Sequence, residues 1–453
     1  METQNRFDVL IIGSGVAGLA AAIESKTSNN RVLVIEKLSS SGGNSIISDG
    51  GIGVVGSDLQ SKFNLSDSTD LLVEDMLKAG NYKNNPVLVR TIAENSNAAY
   101  EWTKEIGVIY QDRVDFFGGH SIPRCLTTEN KKGKDIIVAF YKYAQNLGVE
   151  FCFKTEVKDI IIRNDKAKSI ITYNKDKGEI QFLINHKLIV ATGGFGSDQN
   201  LIKKYSEELA KLKSTNLPSA KGDMLHLMEK KGANLVDMQE IQCGPWASPD
   251  EKGFGLGPLF ADYIALPYGI LINPLSSKRF VNERADRKEV SDALMKMPYG
   301  LAMADQKMVK RSGWDITKLI EKNIVVKFDS LEAIANMFSM NQSELIKTIK
   351  DYNHYIKTEK KDEFNKNLEE LTPLEELPFY IMKTVPKVHH TMGGIEINEE
   401  ARVIKKDRSL FRNIYAAGEC TGGIHGSSRL GSMALTDCLV MGRIAGSSKR
   451  LKK

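Results

Sequence analysis

A glycine-rich turn between an apolar run and a helix-forming run is the feature that most constrains this chain. Residues 7–12 are apolar and rich in β-branched types, and Gly13, Gly15 and Gly18 follow them. The chain then continues from Leu19 with residues that favour a helix. These glycines permit a tight turn, a close approach of backbone to a pyrophosphate, and close helix packing. The helix N-terminus would face the phosphates, so the pattern predicts a nucleotide site.

A second apolar run, residues 32–35, ends at an acidic residue, Glu36. A carboxylate at this position accepts hydrogen bonds from the ribose hydroxyls of adenosine and repels a 2′-phosphate, which disfavours NADP. Alternation of such strands with helices favours a parallel sheet.

Periodic segments predict the remaining elements of this sheet and its helices. Strands are expected at residues 148–153, 158–163, 169–173, 188–190 and 413–416. Helices are expected at residues 70–79, 86–104, 134–147 and 431–451.

The middle third of the chain, residues 238–383, differs in character. Proline and glycine cluster between residues 244 and 269, and amphipathic helices are expected near 285–311 and 331–357. The Lys/Asp/Glu-rich stretch 358–371 is interpreted as a solvated connector.

Length and net charge limit the number of domains and the kinds of partner that this chain can have. A chain of 453 residues exceeds what one hydrophobic core usually supports, so two domains are expected. Lysine and arginine number 62 against 57 acidic residues, and the net charge of +5 is scattered rather than gathered in blocks. A nucleic-acid partner is therefore disfavoured. The basic run 449–453 is interpreted as a solvated tail.

The cysteines argue against a disulfide framework, a zinc site and a c-type haem, because their number is odd and no Cys-x-x-Cys pair occurs. The five are Cys125, Cys152, Cys243, Cys420 and Cys438. The first apolar run is interrupted by glycines and preceded by Asp8, unlike a signal peptide, and no stretch approaches the length of a membrane span. A cytoplasmic location is expected, or a periplasmic one if an export signal has been removed.

Longer segments resemble a known family. Residues 41–53 (SerGlyGlyAsnSerIleIleSerAspGlyGlyIleGly), 188–196 (LeuIleValAlaThrGlyGlyPheGly) and 414–419 (IleTyrAlaAlaGlyGlu) resemble signatures of the fumarate reductase and succinate dehydrogenase flavoprotein superfamily, of the FAD-binding 2 type. The runs 389–395 (HisHisThrMetGlyGlyIle) and 415–431 are similar to its soluble fumarate reductase branch.

The resemblance implies an α/β fold in which a Rossmann-like FAD-binding domain carries an inserted α+β capping domain. The FAD-binding domain would comprise residues 1–237 and 384–453, the cap residues 238–383, and the active site their junction. The C-terminal helix would direct its positive N-terminus at the flavin ring. Together with the glycine turn, the resemblance implies this FAD-binding set: Gly13, Gly15, Val16, Ala17, Gly18, Glu36, Lys37, Gly43, Asn44, Ser45, Gly50, Gly51, Val157, Ala191, Thr192, Gly193, Gly194, Asp223, His390, Gly418, Glu419, Arg429, Gly431, Ser432, Ala434 and Leu435.

Asn44 stands where membrane-bound relatives attach FAD covalently through a histidine. Asparagine cannot form that bond, so non-covalent FAD is expected. The segment from Gly118 to Arg124 also resembles a family segment and is interpreted as supporting the flavin pocket.

Adding hydrogen across a carbon–carbon double bond requires hydride from reduced flavin, an acid for the other carbon, and donors for the activating carboxylate. By resemblance, Arg287 is the proton donor and Asp262 occupies the position of a glutamate that relays protons to it. His390 and Arg429 match the pair that binds the substrate carboxylate, where a guanidinium offers two parallel hydrogen bonds.

Departures from the fumarate-reducing pattern indicate a different substrate. Gly244 stands at the position of the histidine, and Ala261 at that of the threonine, which meet the second carboxylate of fumarate. Ala265 replaces the relay arginine. A buried carboxylate without donors costs several kcal/mol, enough to reject fumarate by orders of magnitude.

Trp246, Phe260 and Tyr263 suit an apolar or aromatic substituent, although the same aromatics could simply pack the cap. We therefore predict a monocarboxylic enoate of the acrylate, methacrylate, cinnamate or urocanate type. Asp262 could bind a polar nitrogen, which keeps urocanate within the class.

Three alternatives share the FAD motifs: fumarate reductase proper, a dehydrogenase of the 3-ketosteroid type, and a non-enzymatic electron carrier. Arg287 opposes the dehydrogenase, because desaturation needs a base at that place. No NAD(P)H site is apparent in the sequence, so electrons are expected from a separate cytochrome, flavin domain or reductase.

Overall fold

A parallel sheet organises the N-terminal and C-terminal parts of the chain. The computed structural model describes residues 5–26, 29–117, 119–359 and 361–447. The strand Arg6–Ile12 lies in the middle and pairs in parallel with Val32–Ile35 and Gly178–Val190. In spatial order the sheet runs Arg402–Ile404, Leu410–Ala416, Gly178–Val190, Arg6–Ile12, Val32–Ile35, Glu150–Cys152, and the hairpin Thr155–Arg163 and Lys166–Asn174 extends from Gly178–Val190.

The predicted strand, glycine turn and helix are confirmed. Gly13 has φ +101°, and a Cβ there would lie 2.2 Å from the carbonyl oxygen of Ala191. A Cβ on Gly18 would lie 2.0 Å from the Gly13 carbonyl oxygen, so both positions require glycine. The helix Val16–Ser25 follows and packs on the last helix, Met433–Gly446, where a Cβ on Gly442 would lie 2.6 Å from the carbonyl oxygen of Ala17.

The central strands of this sheet are buried, which explains why they are continuous apolar runs. The other helices of this part are Asp58–Lys62, Thr69–Ala79, Pro86–Ile106, Gly133–Asn146, Gln199–Tyr205 and Asp223–Lys230, with 3-10 turns at Gly43–Ile47 and Leu209–Lys211. Two small sheets complete this part, one of Thr421–Gly422, Gly394–Glu396 and Leu235–Val236, the other of Ile52–Gly53 and Cys125–Leu126.

An antiparallel sheet lies in the middle third and has its own hydrophobic core. That core draws on residues between 246 and 382, joined by Phe117 and Cys125. The sheet runs Ile241–Ala247, Phe379–Thr391, Gly300–Asp305, Ile270–Asn273 and Lys278–Arg279, with Val326–Phe328 also paired to Phe379–Thr391. Its helices are Gly257–Phe260, a π-helical turn Ala261–Ala265, Leu266–Tyr268, Arg287–Leu294, Gln306–Ser312, Thr317–Glu321, Leu331–Met337 and Gln342–Thr358. The fold is thus a Rossmann-like domain with an α+β cap, while the residue boundaries between them stay a prediction.

Two of the expected cap helices are wrong in extent. The segment 285–311 contains the strand Gly300–Asp305, because Pro298 cannot continue a helix and the following residues pair with Phe379–Thr391. The segment 331–357 is two helices, since Ser339 has φ +51°. Asn341 then caps the second helix by accepting the Glu344 N–H.

The prediction of a solvated connector at 358–371 is also wrong. Lys366 is fully buried, and its Nζ donates to Glu283 Oε2 at 2.9 Å and to the Gly269 carbonyl oxygen at 2.6 Å. Arg279 donates to both oxygens of Glu283 and pairs with Asp362 at 2.6 Å. Two charged residues of this stretch, Asp362 and Lys366, therefore belong to a buried ionic network with partners that are distant in the sequence, whereas Glu359, Lys361, Glu363, Glu369 and Glu370 are exposed.

The C-terminal helix begins at Met433 rather than Gly431 and ends at Gly446. Its predicted end, Leu451, lies outside the described residues, as do Gly118 and the basic run 449–453. None of the helices that the structure describes is long and apolar enough to cross a membrane. The five cysteines are free, and the described residues contain no cluster of three histidine, cysteine or acidic side chains suited to a metal.

We expect Glu283→Gln to lower the free energy of unfolding near neutral pH by about 3 to 5 kcal/mol, because it removes the carboxylate partner of buried Lys366 and leaves Arg279 with Asp362 alone. Arg279 and Lys366 overcome the opposing effect of burial and lower the pKa of Glu283 from 4.5 to about 2. The stabilisation from ionised Glu283 is therefore complete above about pH 4.5 and is lost as the pH falls toward about 2.

Urea unfolding of both proteins at about pH 7, 5 and 3 measures this difference. The exposed Glu332→Gln serves as the control and should behave as wild type at each pH. A difference between wild type and Glu283→Gln that stays constant across this range would contradict the assignment.

Candidate functional site

A cavity with about 910 Å³ of empty space lies where the two cores meet. The cap contributes Arg287 and Asp262 to its wall, the strand Phe379–Thr391 contributes His390, and the C-terminal part of the chain contributes Arg429 and Ser432. The predicted catalytic residues are thus brought together, although more than 160 positions separate Asp262 from Arg429 in the chain.

Arg287 is the first residue of the helix Arg287–Leu294, which Asp286 caps by accepting the Lys288 N–H. Its Nη2 donates to Asp262 Oδ2 at 2.9 Å, and its guanidinium carbon lies 4.4 Å from the Trp246 ring centroid. Burial raises the pKa of Asp262 above 3.8, against the opposing charge of Arg287. The carboxyl group is therefore poised to exchange a proton more readily than an exposed aspartate would be.

A π-helical turn explains how neighbouring residues both reach the cavity. Ala261–Ala265 forms this turn, and the side chains of Asp262 and Tyr263 both line the wall. The Tyr263 hydroxyl donates to Asp49, and its ring packs 4.3 Å from that of Trp314. This contact ties the cap to the parallel-sheet domain.

Arg429 is a desolvated cation. Burial, together with the charge of Arg287, lowers the pKa of Arg429 to about 9, so the guanidinium remains charged at neutral pH. Its Nη1 donates to the Leu430 carbonyl oxygen at 3.0 Å, whereas its buried Nε has no hydrogen-bond partner among the described residues. An open donor on a buried cation suits an anionic ligand.

His390 lies beside Arg429 and is neutral. Burial and the positive charge of Arg429 lower its pKa well below 6.5. Its Nδ1 is 3.7 Å from Glu419 Oε1, and its Nε2 has no hydrogen-bond partner among the residues described. The predicted pair is therefore one guanidinium and one uncharged imidazole.

Two further clefts continue from this cavity along the carboxyl ends of the parallel strands. They share Gly13, Glu36 and Thr192 with each other, and one of them shares Asn44 and Glu419 with the cavity. Of the predicted FAD-binding set, the cavity and clefts are lined by Gly13, Gly15, Val16, Ala17, Glu36, Lys37, Gly43, Asn44, Ser45, Gly51, Val157, Ala191, Thr192, Gly193, Asp223, His390, Gly418, Glu419, Arg429, Ser432, Ala434 and Leu435. This extended path suits a long dinucleotide.

The residues present fit FAD. Glu36 accepts the Ser14 N–H and the Ser14 hydroxyl on Oε2 and the Leu38 N–H on Oε1, which leaves a lone pair of Oε1 for a ribose. At the opposite end, Ser432 has φ +59° and its side chain does not cap the helix Met433–Gly446. The uncapped amides, next to Ala434, suit the electron-rich edge of a flavin.

Four predicted glycines support the site without lining it. Gly18 forms the turn, and Gly50, at φ +76°, lies close to Lys132. A Cβ on Gly194 would collide with Thr391 Oγ1. The Gly431 carbonyl oxygen accepts a hydrogen bond from His120 at 2.9 Å, which agrees with a supporting role for this segment.

Phe260 is a correction to the predicted substrate site. It is fully buried in the cap core and does not line the cavity, because it precedes the π-helical turn. Phe254 lines the cavity instead, beside Trp246 and Tyr263.

Asn44 holds the loop that carries it. Its Oδ1 accepts the Leu217 N–H at 2.9 Å, and its Nδ2 donates to Asn216. These contacts are compatible with the expectation of non-covalent FAD.

Sequence reasoning missed several residues of the wall. Asp49 is one of them. The sequence feature that could have identified it is a charged side chain within a stretch of small residues, 48–51. His389, the first residue of the run 389–395, lines the cavity and forms a hydrogen bond through Nδ1 with Thr215 at 2.9 Å. Its partners come from other segments, so spacing alone does not reveal them.

Comparisons with known proteins agree with this geometry. Residues 8–435 match the family described as FAD binding domain. The chain is 36% identical over 460 residues to the acrylate reductase flavoprotein subunit of Shewanella woodyi, covering 97% of this chain and 90% of that protein. It is 32% identical to urocanate reductase of Eggerthella lenta, covering 97% of this chain and 74% of that protein.

A solved structure shares the fold. The open conformation of a flavocytochrome c3 fumarate reductase superposes with a TM-score of 0.77 at 28% identity, covering 98% of this chain and 78% of that one. The chain therefore belongs to the FAD-binding family of the fumarate reductase and succinate dehydrogenase flavoprotein superfamily, in its soluble branch, and is an FAD-dependent oxidoreductase acting on CH–CH groups.

Proposed function

We propose that this protein reduces the carbon–carbon double bond of a monocarboxylic enoate, of the acrylate, methacrylate, cinnamate or urocanate type. One observation carries the proposal: the cavity has an open guanidinium donor at Arg429, while the wall around Tyr263 holds aromatic rings and the carboxylate of Asp49. The pocket therefore offers a partner to one carboxylate and resists a second.

Arg429 would bind the substrate carboxylate. A guanidinium forms two parallel hydrogen bonds with a carboxylate, and this interaction is stronger where water is excluded. His390, being neutral, can donate from Nε2 without adding a second charge. Drawing electron density toward the carboxylate makes the β-carbon of the enoate a better hydride acceptor.

Arg287 would deliver the proton to the α-carbon. Its contact with Asp262 at 2.9 Å gives a route by which the guanidinium is reprotonated, and its stacking on Trp246 restricts its orientation. FAD, when bound, supplies the hydride for the β-carbon. The cap, by covering the cavity, would keep water away from these groups.

Fumarate is the less favoured substrate. Its second carboxylate would meet Asp49 and the aromatic ring of Tyr263 rather than donors. Gly244 has no side chain to offer, and its own space is filled by the Trp246 ring, 2.6 Å from where a Cβ would lie. Desolvating that carboxylate without a partner would cost several kcal/mol.

Electrons would reach the flavin from a separate donor, a cytochrome, a flavin domain or a reductase. This partner, like the cytoplasmic location, stays a prediction.

An anaerobic assay with reduced viologen and a panel of enoates tests the proposed substrate class. We expect monocarboxylic enoates to be reduced with kcat/KM at least about 100-fold above fumarate, because rejection of an unpaired carboxylate is worth a few kcal/mol. The saturated acids serve as controls and should not reoxidise viologen. Faster reduction of fumarate than of every monocarboxylic enoate would refute the proposal.

Arg287→Ala should reduce turnover by about 10²- to 10⁴-fold, the usual contribution of a positioned acid. FAD content, measured from visible flavin absorbance, should be retained, since Arg287 lies in the cap. Lys288→Ala, an exposed cation next along the same helix, is the matched control and should keep wild-type turnover. Equal activity of the two variants would remove Arg287 from the reaction.

Unfolding the holoenzyme in urea should release all of its flavin, because Asn44 cannot form a covalent bond to the cofactor. The measurement is flavin absorbance on each side of an ultrafiltration membrane, with unfolded protein mixed with free FAD as the control. Flavin that remains with the unfolded chain would contradict the alignment of this residue.

A further inference from the structure

Asp49 differs in its partners from Asp262, a second carboxylate of the cavity wall. Asp262 pairs with the guanidinium of Arg287. The hydrogen-bond partners of Asp49 are both neutral: the Gly51 N–H donates to Oδ1 at 3.0 Å, and the Tyr263 hydroxyl donates to Oδ2.

These bonds leave acceptor capacity that faces the cavity. A carboxylate offers about four lone-pair sites, and two are used here. Asp49 is only half-buried, so its free lone pairs are accessible to a ligand within the cavity that it lines with Arg429.

Rigid neighbours hold this carboxylate in place. Tyr263, which donates to it, is packed with its ring 4.3 Å from Trp314 and 5.0 Å from Phe117, edge to face. The Gly51 N–H restrains the other oxygen. An acceptor held from two sides costs little further entropy when it binds a ligand.

The negative charge of Asp49 affects the pKa values of Arg429, Asp262 and Asp115. The pKa of Asp115 is raised by burial first; the Arg113 contacts oppose this rise, and the charge of Asp49 adds to it. A ligand group that meets this wall is therefore favoured if it donates a hydrogen bond and disfavoured if it is anionic.

We propose that Asp49, positioned by Tyr263, selects enoates whose β-substituent carries a hydrogen-bond donor, such as the imidazole N–H of urocanate or the phenol of a 4-hydroxycinnamate. This rests on the proposed function, because it assigns the substrate carboxylate to Arg429. Asp262 is the poorer acceptor for that donor, since its carboxylate is already paired with Arg287.

The test compares substrates that differ by one hydroxyl. Wild-type holoenzyme, assayed anaerobically with reduced viologen, should show a kcat/KM for 4-hydroxycinnamate at least about 10-fold above that for cinnamate, the usual value of a hydrogen bond to a charged group. In Asp49→Asn this ratio should fall to within about threefold of unity. Urocanate forms a second arm and should lose turnover relative to cinnamate in the same variant.

Binding provides a readout that does not depend on turnover. We expect oxidised wild-type holoenzyme, titrated while the flavin spectrum is followed, to bind 3-(4-hydroxyphenyl)propanoate at least about 10-fold more tightly than 3-phenylpropanoate. Asp49→Asn should abolish this difference.

Two further variants distinguish the role of the Asp49 carboxylate from other causes of a changed substrate ratio. Tyr263→Phe keeps the carboxylate and should retain a ratio above unity, whereas Asp112→Asn, an exposed aspartate remote from the cavity, should retain the wild-type ratio. A wild-type ratio near unity, or an equal loss for both substrates in Asp49→Asn, would overturn the role of Asp49 while leaving enoate reduction intact. Failure of every enoate to reoxidise the flavin would instead refute the proposed function.

Discussion

The burial of charge at the junction of two hydrophobic cores is the constraint on which the rest of this structure depends. Arg429 and Arg287 are both desolvated there, and each like charge raises the cost of the other. The two arginines differ in how far neighbouring groups offset that cost. Arg287 has a carboxylate partner in Asp262, while Arg429 keeps a buried Nε without a hydrogen-bond partner among the described residues. An anion bound beside Arg429 would therefore stabilise this site.

An irregular helical turn in the cap positions two of the side chains that line the cavity. The π-helical turn Ala261–Ala265 brings Asp262, the proposed proton relay, and Tyr263, the proposed positioning residue of Asp49, to the same cavity. The helix that begins at Arg287 receives its N-cap from Asp286, and the Ser428 hydroxyl donates to that aspartate at 3.0 Å. The same short segment thus orients the guanidinium and connects it to the other domain.

A second set of buried charges supports the cap from within. Glu283 lies four residues before Arg287 and is held by Arg279 and Lys366, which are themselves buried. Such a network contributes to stability only while it is complete, because any member left alone is an uncompensated charge in an apolar core. We interpret it as the support that keeps the loop before Arg287 in place.

The sequence alone determined the parallel sheet and its glycine turn, because each depends on local spacing: Gly13 needs a positive φ, and the strand before it needs burial. The choice of FAD as the cofactor followed from the resemblance of longer segments to a known family. The proposed carboxylate-binding residue, Arg429, also came from a local motif, through the same resemblance. The tertiary structure decided which charges are paired, that His390 is neutral, and that Asp49 rather than Phe260 forms part of the wall. Those properties arise from desolvation and from contacts between segments far apart in the chain, and no periodicity within a segment records them.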